Sequence, residues 1–137
     1  MSSVYSVYVL QKQMTINLQP LKALLLTNVV EIRFVSKRPK PGHPGTRRML
    51  CTNSYELLNS IEGKTTLNYR PPKKGRQINE QKNNVAITWD IIMQDYRAIN
   101  VDQCDLLTTV DVDNFWDYFK ENVMILSAEN KIAFMNT

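Results

Sequence analysis

Apolar and polar residues alternate along two stretches of the chain, and this period of two is typical of a β-strand with one buried face. The first stretch covers residues 29–35, and the second, residues 85–90, is the clearer of the two. Their apolar positions are Val30, Ile32, Phe34, Val85, Ile87 and Trp89. Shorter β-branched or aromatic runs predict further strands over 4–10, 48–52 and 96–101, and the stretch 85–107 is interpreted as a hairpin that continues into another strand.

Leucines at a spacing of 3.6 residues predict one helix that ends at residues 27–28, with Thr15 or Asn17 as its N-cap. A single helical turn is expected after Ser54, and a short helix capped by Asp113 is expected near the C-terminus, where two short apolar runs form a terminal hairpin. The same spacings predict the buried core. Its members are Leu21, Leu24, Ile32, Phe34, Met49, Cys51, Ile87, Trp89, Ile99 and Val101.

Two segments combine prolines with cations and are predicted to be exposed loops. They are KRPKPGHPGTRR, residues 37–48, and NYRPPKKGRQINEQKNN, residues 68–84. Proline removes a backbone donor and restricts φ, so neither segment fits the interior of a helix or a central strand. The first is interpreted as a hairpin loop between two strands.

Short antiparallel strands with hairpin links, in a chain of 137 residues, favour a barrel because closure removes exposed strand edges. We therefore expect a mainly β protein with short helices, built as a small, partly open Sm/SH3-like barrel after an N-terminal helix. Three parts are predicted: an N-terminal arm over residues 1–14, the barrel over 15–109, and a C-terminal helix and hairpin appendage over 110–137.

Four segments together resemble a small-barrel family of tailed phages, the WYL-like Sm/SH3 proteins. The segments are LLLTNVVEIRFV at 24–35, RRMLCT at 47–52, VAITWD at 85–90 and YRAINVD at 96–102. The resemblance covers about residues 15–107, and Tyr96 stands where the family usually has tryptophan. It implies a phage-encoded protein with an Sm-like barrel, and little about activity, because small barrels carry many functions.

The formal net charge is +4, but the charged residues are unevenly distributed along the chain. Residues 33–82 contain 12 cations and 3 acids, a balance of 12 − 3 = +9, whereas residues 90–129 contain 2 cations and 9 acids, a balance of 2 − 9 = −7. Such a chain can bind a polyanion with its basic part and a basic partner with its acidic part. The alternative is that the two parts meet in the fold and neutralise each other.

The residues that carry enzymatic or metal chemistry are sparse. Cys51, Cys104 and His43 do not have the spacing of a zinc site, and two cysteines are too few for a disulfide framework. Asp111 and Asp113 lack the glycine and glutamate that a calcium loop needs. The four glycines have neither phosphate-loop nor dinucleotide spacing. We expect no enzyme, no catalytic residues, no cofactor, no metal and no membrane span.

The first functional hypothesis is nucleic-acid binding through the two basic loops, with a role in transcription or DNA metabolism. Cations at the rim of a small barrel can contact phosphates, and an adjacent tyrosine can stack on a base. The alternative is that the loops only keep the protein soluble. The predicted contact residues are Lys37, Arg38, Lys40, Arg47, Arg48, Tyr69, Arg70, Lys73, Lys74 and Arg76.

The second hypothesis is a protein-interaction module, either a factor that binds host machinery or a virion or assembly component, which uses its acidic, aromatic C-terminal part. Aromatic side chains are typical anchors of protein interfaces. The predicted anchors are Phe115, Trp116, Tyr118 and Phe119. The alternative is that Trp116 and Phe119 only pack this part onto the barrel. Both hypotheses place the protein in the host cytoplasm or the virion and allow a homo-oligomer or larger assembly.

Overall fold

The computed structural model describes residues 14–35, 46–72 and 79–123, which form a mixed, β-rich domain. The strands are β1 (Met14–Thr15), β2 (Asn28–Val35), β3 (Thr46–Thr52), β4 (Val85–Asp90), β5 (Asp95–Asn100) and β6 (Cys104–Asp111). The helices are α1 (Leu18–Thr27), α2 (Tyr55–Asn59), α3 (Ile61–Thr65), α4 (Glu80–Asn83) and α5 (Phe115–Asn122). Two 3₁₀ turns, Val101–Gln103 and Val112–Asn114, precede β6 and α5.

The strands form one open antiparallel sheet in the order β1-β6-β2-β3-β4-β5, with the two-residue β1 at its edge. β2 is the central strand of one half, since it pairs with both β3 and β6. β3 and β4 pair only through Cys51 with Asp90 and Thr52 with Trp89. Next to this short contact, side chains bond the backbone of Ile87: the Asn53 amide donates to its carbonyl oxygen at 2.9 Å, and its N–H donates to the Glu80 carboxylate at 2.9 Å.

Helix α1 covers the first face of the sheet. Its leucines pack with residues of β2 to β6 into the first core, whose buried members are Leu18, Leu21, Leu25, Val30, Ile32, Met49, Cys51, Ala86, Ile99, Val101, Cys104 and Leu106. Thr52 links the C-terminal end of α1 to β3, because its buried hydroxyl lies 2.9 Å from the carbonyl oxygen of Asn28, to which it donates, and 3.2 Å from that of Leu25. α1 is thus held by both packing and hydrogen bonds.

The second face is covered by α2, α5 and the chain that follows α3. Their apolar residues form the second core, whose buried members are Val29, Leu50, Leu57, Leu58, Leu67, Trp89, Ile91, Phe115, Phe119 and Val123. Because alternate residues of a strand point to opposite faces, β2 contributes Val30 to the first core and Val29 to the second. The sheet is therefore buried on both sides over much of its length.

Most of the predicted elements that fall on described residues are confirmed. The leucine helix, the strands at 29–35, 48–52, 85–90 and 96–101, the turn after Ser54 and the helix after Asp113 are all present, with ends shifted by a few residues. α3 and α4 were not expected, and α4 occupies part of the predicted loop 68–84. The predicted strand over 4–10 and nearly all of the predicted terminal hairpin lie outside the described residues, and the barrel stays a prediction.

Seven of the ten predicted core residues are buried, while Leu24, Phe34 and Ile87 are half-buried. The expectation of a single core is corrected. Trp89 belongs to the second core, whereas Met49 and Cys51 belong to the first. This division follows from the register, because Cys51 is paired with Asp90 and therefore shares a face with that residue rather than with Trp89.

Candidate nucleic-acid interface

The ten residues predicted to contact nucleic acid divide into two groups. Six lie outside the described residues: Lys37, Arg38, Lys40, Lys73, Lys74 and Arg76. The other four, Arg47, Arg48, Tyr69 and Arg70, adjoin those segments and are described. The geometry of the candidate interface is therefore the geometry of these four residues and their neighbours.

Arg47 and Arg48 are the second and third residues of β3 and point to opposite faces of the sheet. Arg47 is paired with Phe34 and Arg48 with Arg33. The Arg48 Nε lies 3.3 Å from a carboxylate oxygen of Glu31, which is 7% exposed. Burial raises the pKa of Glu31, although the nearby Arg48 and Arg33 act in the opposite direction. Arg48 is thus engaged in a partly buried ion pair within the second face.

Tyr69 and Arg70 lie against the buried ring of Trp89. The centroids of the Tyr69 and Trp89 rings are 5.2 Å apart at 80°, and those of Trp89 and Tyr96 are 4.9 Å apart at 81°. These are edge-to-face arrangements, which the quadrupoles of aromatic rings favour. Trp89 is fully buried, whereas Tyr69 and Tyr96 are half-buried. The three rings form an aromatic cluster that reaches the surface at its two tyrosines.

Hydrogen bonds hold the aromatic cluster to Arg70. The Tyr69 and Tyr96 hydroxyl oxygens are 2.9 Å apart, and the Tyr96 hydroxyl is also 2.9 Å from the carbonyl oxygen of Arg70. Because a carbonyl oxygen only accepts, the Tyr96 hydroxyl donates its one proton to the Arg70 carbonyl oxygen. The Tyr69 hydroxyl then donates to the oxygen of Tyr96. Burial raises the pKa of Tyr96, so its hydroxyl stays protonated at neutral pH.

The guanidinium of Arg70 is held in place while most of its surface remains open. Its central carbon lies 5.7 Å from the centroid of Trp89, and its Nη2 donates to the carbonyl oxygen of Gln94 at 3.2 Å. The nearest carboxylate contact is Asp95 at 3.9 Å, between side chains that are 62% and 65% exposed. An ion pair so exposed and so long contributes little. Arg70 is therefore an oriented cation that remains accessible to a ligand.

One turn of the sheet connects the two basic segments. The 91–94 turn joins β4 to β5, and the N–H of Ile91 donates to the carbonyl oxygen of Leu50 at 2.9 Å. Arg48 lies two residues along β3 from Leu50 and on the same face. Within the same turn, the carbonyl oxygen of Gln94 accepts the hydrogen bond from Arg70. The turn is thus bonded to Arg70 and to Leu50 of β3, each close in sequence to one of the two basic loops.

The basic and acidic parts of the chain do meet in the described residues, as one of the two alternatives expected. Arg33 is paired with Asp105 on neighbouring strands, and Arg70 lies near Asp95. These contacts neutralise part of the basic charge. They leave open the role of the six cations that lie outside the described residues.

The predicted protein-binding aromatics are placed on α5. Phe115 is fully buried and Phe119 is 7% exposed, and both pack into the second core. Trp116 is half-buried, with its ring centroid 5.0 Å from that of Phe115. Half-buried Tyr118 has its pKa raised to about 12, chiefly by burial. Phe115 and Phe119 thus contribute to the second core, and partner binding through these aromatic residues stays a prediction.

Sequence reasoning missed Tyr96 and Gln94 as members of the interface. Tyr96 is the second residue of β5, and nothing in its immediate neighbours marks it as a partner of a residue 27 positions earlier. Gln94 has a φ of 57°, a left-handed conformation that places it in the turn. The available signal was the short spacing between two strands, which predicts a tight turn.

No group of three or more metal-ligating side chains occurs in the described residues. Cys51 and Cys104 are both buried; burial raises the pKa of the Cys51 thiol and raises that of Cys104 to about 11. Among the described helices none is long and apolar enough to cross a membrane. The chain matches none of the protein-family models, curated proteins or solved structures with which it was compared.

Proposed function

We propose that this protein binds nucleic acid through its two basic segments and that it does so without catalysis. The observation that carries the proposal is the 91–94 turn, which accepts a hydrogen bond from Arg70 and donates one to Leu50, two residues along β3 from Arg48. Each of these two arginines lies close in sequence to a segment with three further cations, and both segments lie outside the described residues. Clustered cations that contact phosphates supply most of the affinity of non-specific binding.

The length of the β5–β6 connection supports a rolled, Sm/SH3-like sheet as the scaffold of this interface. In a flat sheet β5 and β6 would be four strand spacings apart, about 19 Å. Only the 3₁₀ turn Val101–Gln103 joins Asn100 to Cys104, and four residue steps span at most about 14 Å. Packing of Ile99 from β5 with Ile32 from β2 in the first core agrees with such curvature. The resemblance to a phage family extends the proposal to a phage-encoded protein of the host cytoplasm.

A set of charge substitutions tests the proposal. The loop variant replaces three cations of the second basic segment that lie outside the described residues: Lys73→Ser, Lys74→Ser and Arg76→Ser. The matched control replaces three cations outside both basic segments: Lys64→Ser and Lys120→Ser, which are exposed, and Lys131→Ser, which lies outside the described residues. Both variants have the same net charge, +4 − 3 = +1, so they differ only in where the charge is lost.

Binding is measured by fluorescence anisotropy with labelled oligonucleotides at several salt concentrations. Each phosphate contact contributes about 0.9 to the logarithmic salt slope on duplex DNA and about 0.7 on single strands. We expect the loop variant to lose roughly two units of slope, while the control keeps the slope of the unmodified protein. Equal losses in both variants would show that only net charge matters, and absence of binding at low salt would refute the proposal.

A further inference from the structure

Arg70 has the properties of a stacking and phosphate-binding side chain rather than of a structural cation. Its guanidinium is oriented by Trp89 and by the Gln94 carbonyl oxygen, yet 62% of its side chain is exposed. An oriented guanidinium loses little entropy when it binds, and its plane stacks on aromatic groups, including nucleobases. Its weak contact with Asp95 does not compete strongly with a phosphate.

The surroundings of Arg70 supply aromatic surface next to that cation. Tyr69 and Tyr96 are half-buried, stand edge-on to Trp89 and are held by their shared hydrogen bond. Rigid aromatic side chains beside a cation are the usual platform for an unpaired base. The exposed prolines Pro71 and Pro72 follow directly, and they stiffen the chain that leaves this platform.

The described helices are poorly suited to duplex recognition. Readout of the major groove by a helix needs cations on an exposed helix face. The single cation of α1, Lys22, has its Nζ 3.1 Å from Glu80. α5 carries Asp117 and Glu121 against Lys120, a balance of −1. Of the described helices with eight residues or more, neither presents a basic face.

We propose that Tyr69, Arg70 and Tyr96 form a site for an unpaired base and its phosphate, so that the preferred ligand is single-stranded nucleic acid. This inference rests on the proposed function and specifies in addition that the bound nucleic acid is single-stranded. Entry of the β2–β3 hairpin into a duplex groove is the competing possibility, and the experiment below includes it.

The test compares Arg70→Lys with Arg97→Lys. Both changes keep the positive charge and remove a planar guanidinium. Arg97 is next to Tyr96 on β5, but its side chain points to the opposite face, where its Nε lies 3.8 Å from Asp90. Thermal melting of the two full-length variants first establishes that their melting temperatures are the same. Anisotropy is then recorded with a single-stranded DNA of about 12 nucleotides, the RNA of the same sequence and the corresponding DNA duplex.

We expect the unmodified protein and Arg97→Lys to bind at least one single strand about tenfold more tightly than the duplex. In Arg70→Lys this preference should fall severalfold while the affinity for the duplex and the salt slope stay unchanged. Photo-cross-linking to an oligonucleotide that contains 5-iodouracil should label Tyr69 or Tyr96. The DNA and RNA arms identify which single strand is bound.

The unfavourable outcomes are separable. Equal affinity of the unmodified protein for single strands and duplex, an unchanged preference in Arg70→Lys, or cross-links confined to other tyrosines would overturn the inference and leave nucleic-acid binding intact. No binding in any arm at low salt would overturn the proposed function as well.

Discussion

Trp89 joins the fold to the candidate interface, and its replacement by alanine tests both. The side chain is fully buried, and it contacts the rings of Tyr69 and Tyr96 at centroid distances of 5.2 and 4.9 Å. Arg70 lies over the same ring. Removal of the indole therefore empties the middle of the second core and takes away the support of three surface side chains.

The expected cost follows from this burial. A buried tryptophan hides about 200 Å², and at about 25 cal/mol per Å² its side chain contributes about 5 kcal/mol. The Nε1–H has no hydrogen-bond partner among the described residues, and an unpartnered buried donor costs about 1–3 kcal/mol. Trp89→Ala should therefore lower the free energy of unfolding by about 3–5 kcal/mol, the range measured for such truncations.

Trp89→Phe is the matched control, since it keeps an aromatic ring and removes the unpartnered N–H. We expect it to cost only about 1–2 kcal/mol. Urea denaturation followed by far-ultraviolet circular dichroism gives both values, and the melting temperature of Trp89→Ala should fall by roughly 10–20 °C. A Trp89→Ala protein as stable as the unmodified one, or a Phe variant as damaged as the Ala variant, would refute this reasoning.

Three more outcomes are expected. Gly63→Ala should lower stability by about 1–3 kcal/mol or more, because a Cβ there would lie 2.7 Å from the carbonyl oxygen of Leu58; Thr65→Ala, exposed in the same helix, should change the melting temperature little. Burial raises the pKa of Glu31 above 4.5 in the folded protein, so the folded state binds more protons and stability declines as pH rises from 4.5 through the folded pKa; Glu31→Gln should flatten that decline in urea titrations, and an unchanged slope would contradict it. A fragment that ends at residue 109 should be unfolded by circular dichroism, because it lacks Phe115 and Phe119 of the second core; a cooperatively melting fragment would show that α5 is dispensable.

Much of the secondary structure could be predicted from local sequence, because strand alternation and helix spacing act over a few residues. Val30 and Ile32 indicated β2, and Ser54 indicated α2, whose Leu57 N–H it caps at 3.3 Å. The same local reasoning missed α3, since IEGKT has no apolar periodicity long enough to stand out. Tertiary contact decides α3: buried Gly63 allows its close approach to the carbonyl oxygens of α2.

The candidate interface was only partly predictable. Tyr69 and Arg70 were found from a local run of aromatic, basic and proline residues, which is a property of adjacent positions. Tyr96 belongs to the interface only because the chain after α3 contacts the start of β5 through Tyr69 and Arg70. Likewise, the aromatic residues of α5 suggested a partner surface until packing buried Phe115 on the second face. Composition and periodicity determine which segments become strands, helices and loops, whereas only the packing of both sheet faces decides which aromatic rings stay accessible, because burial depends on residues far apart in the chain.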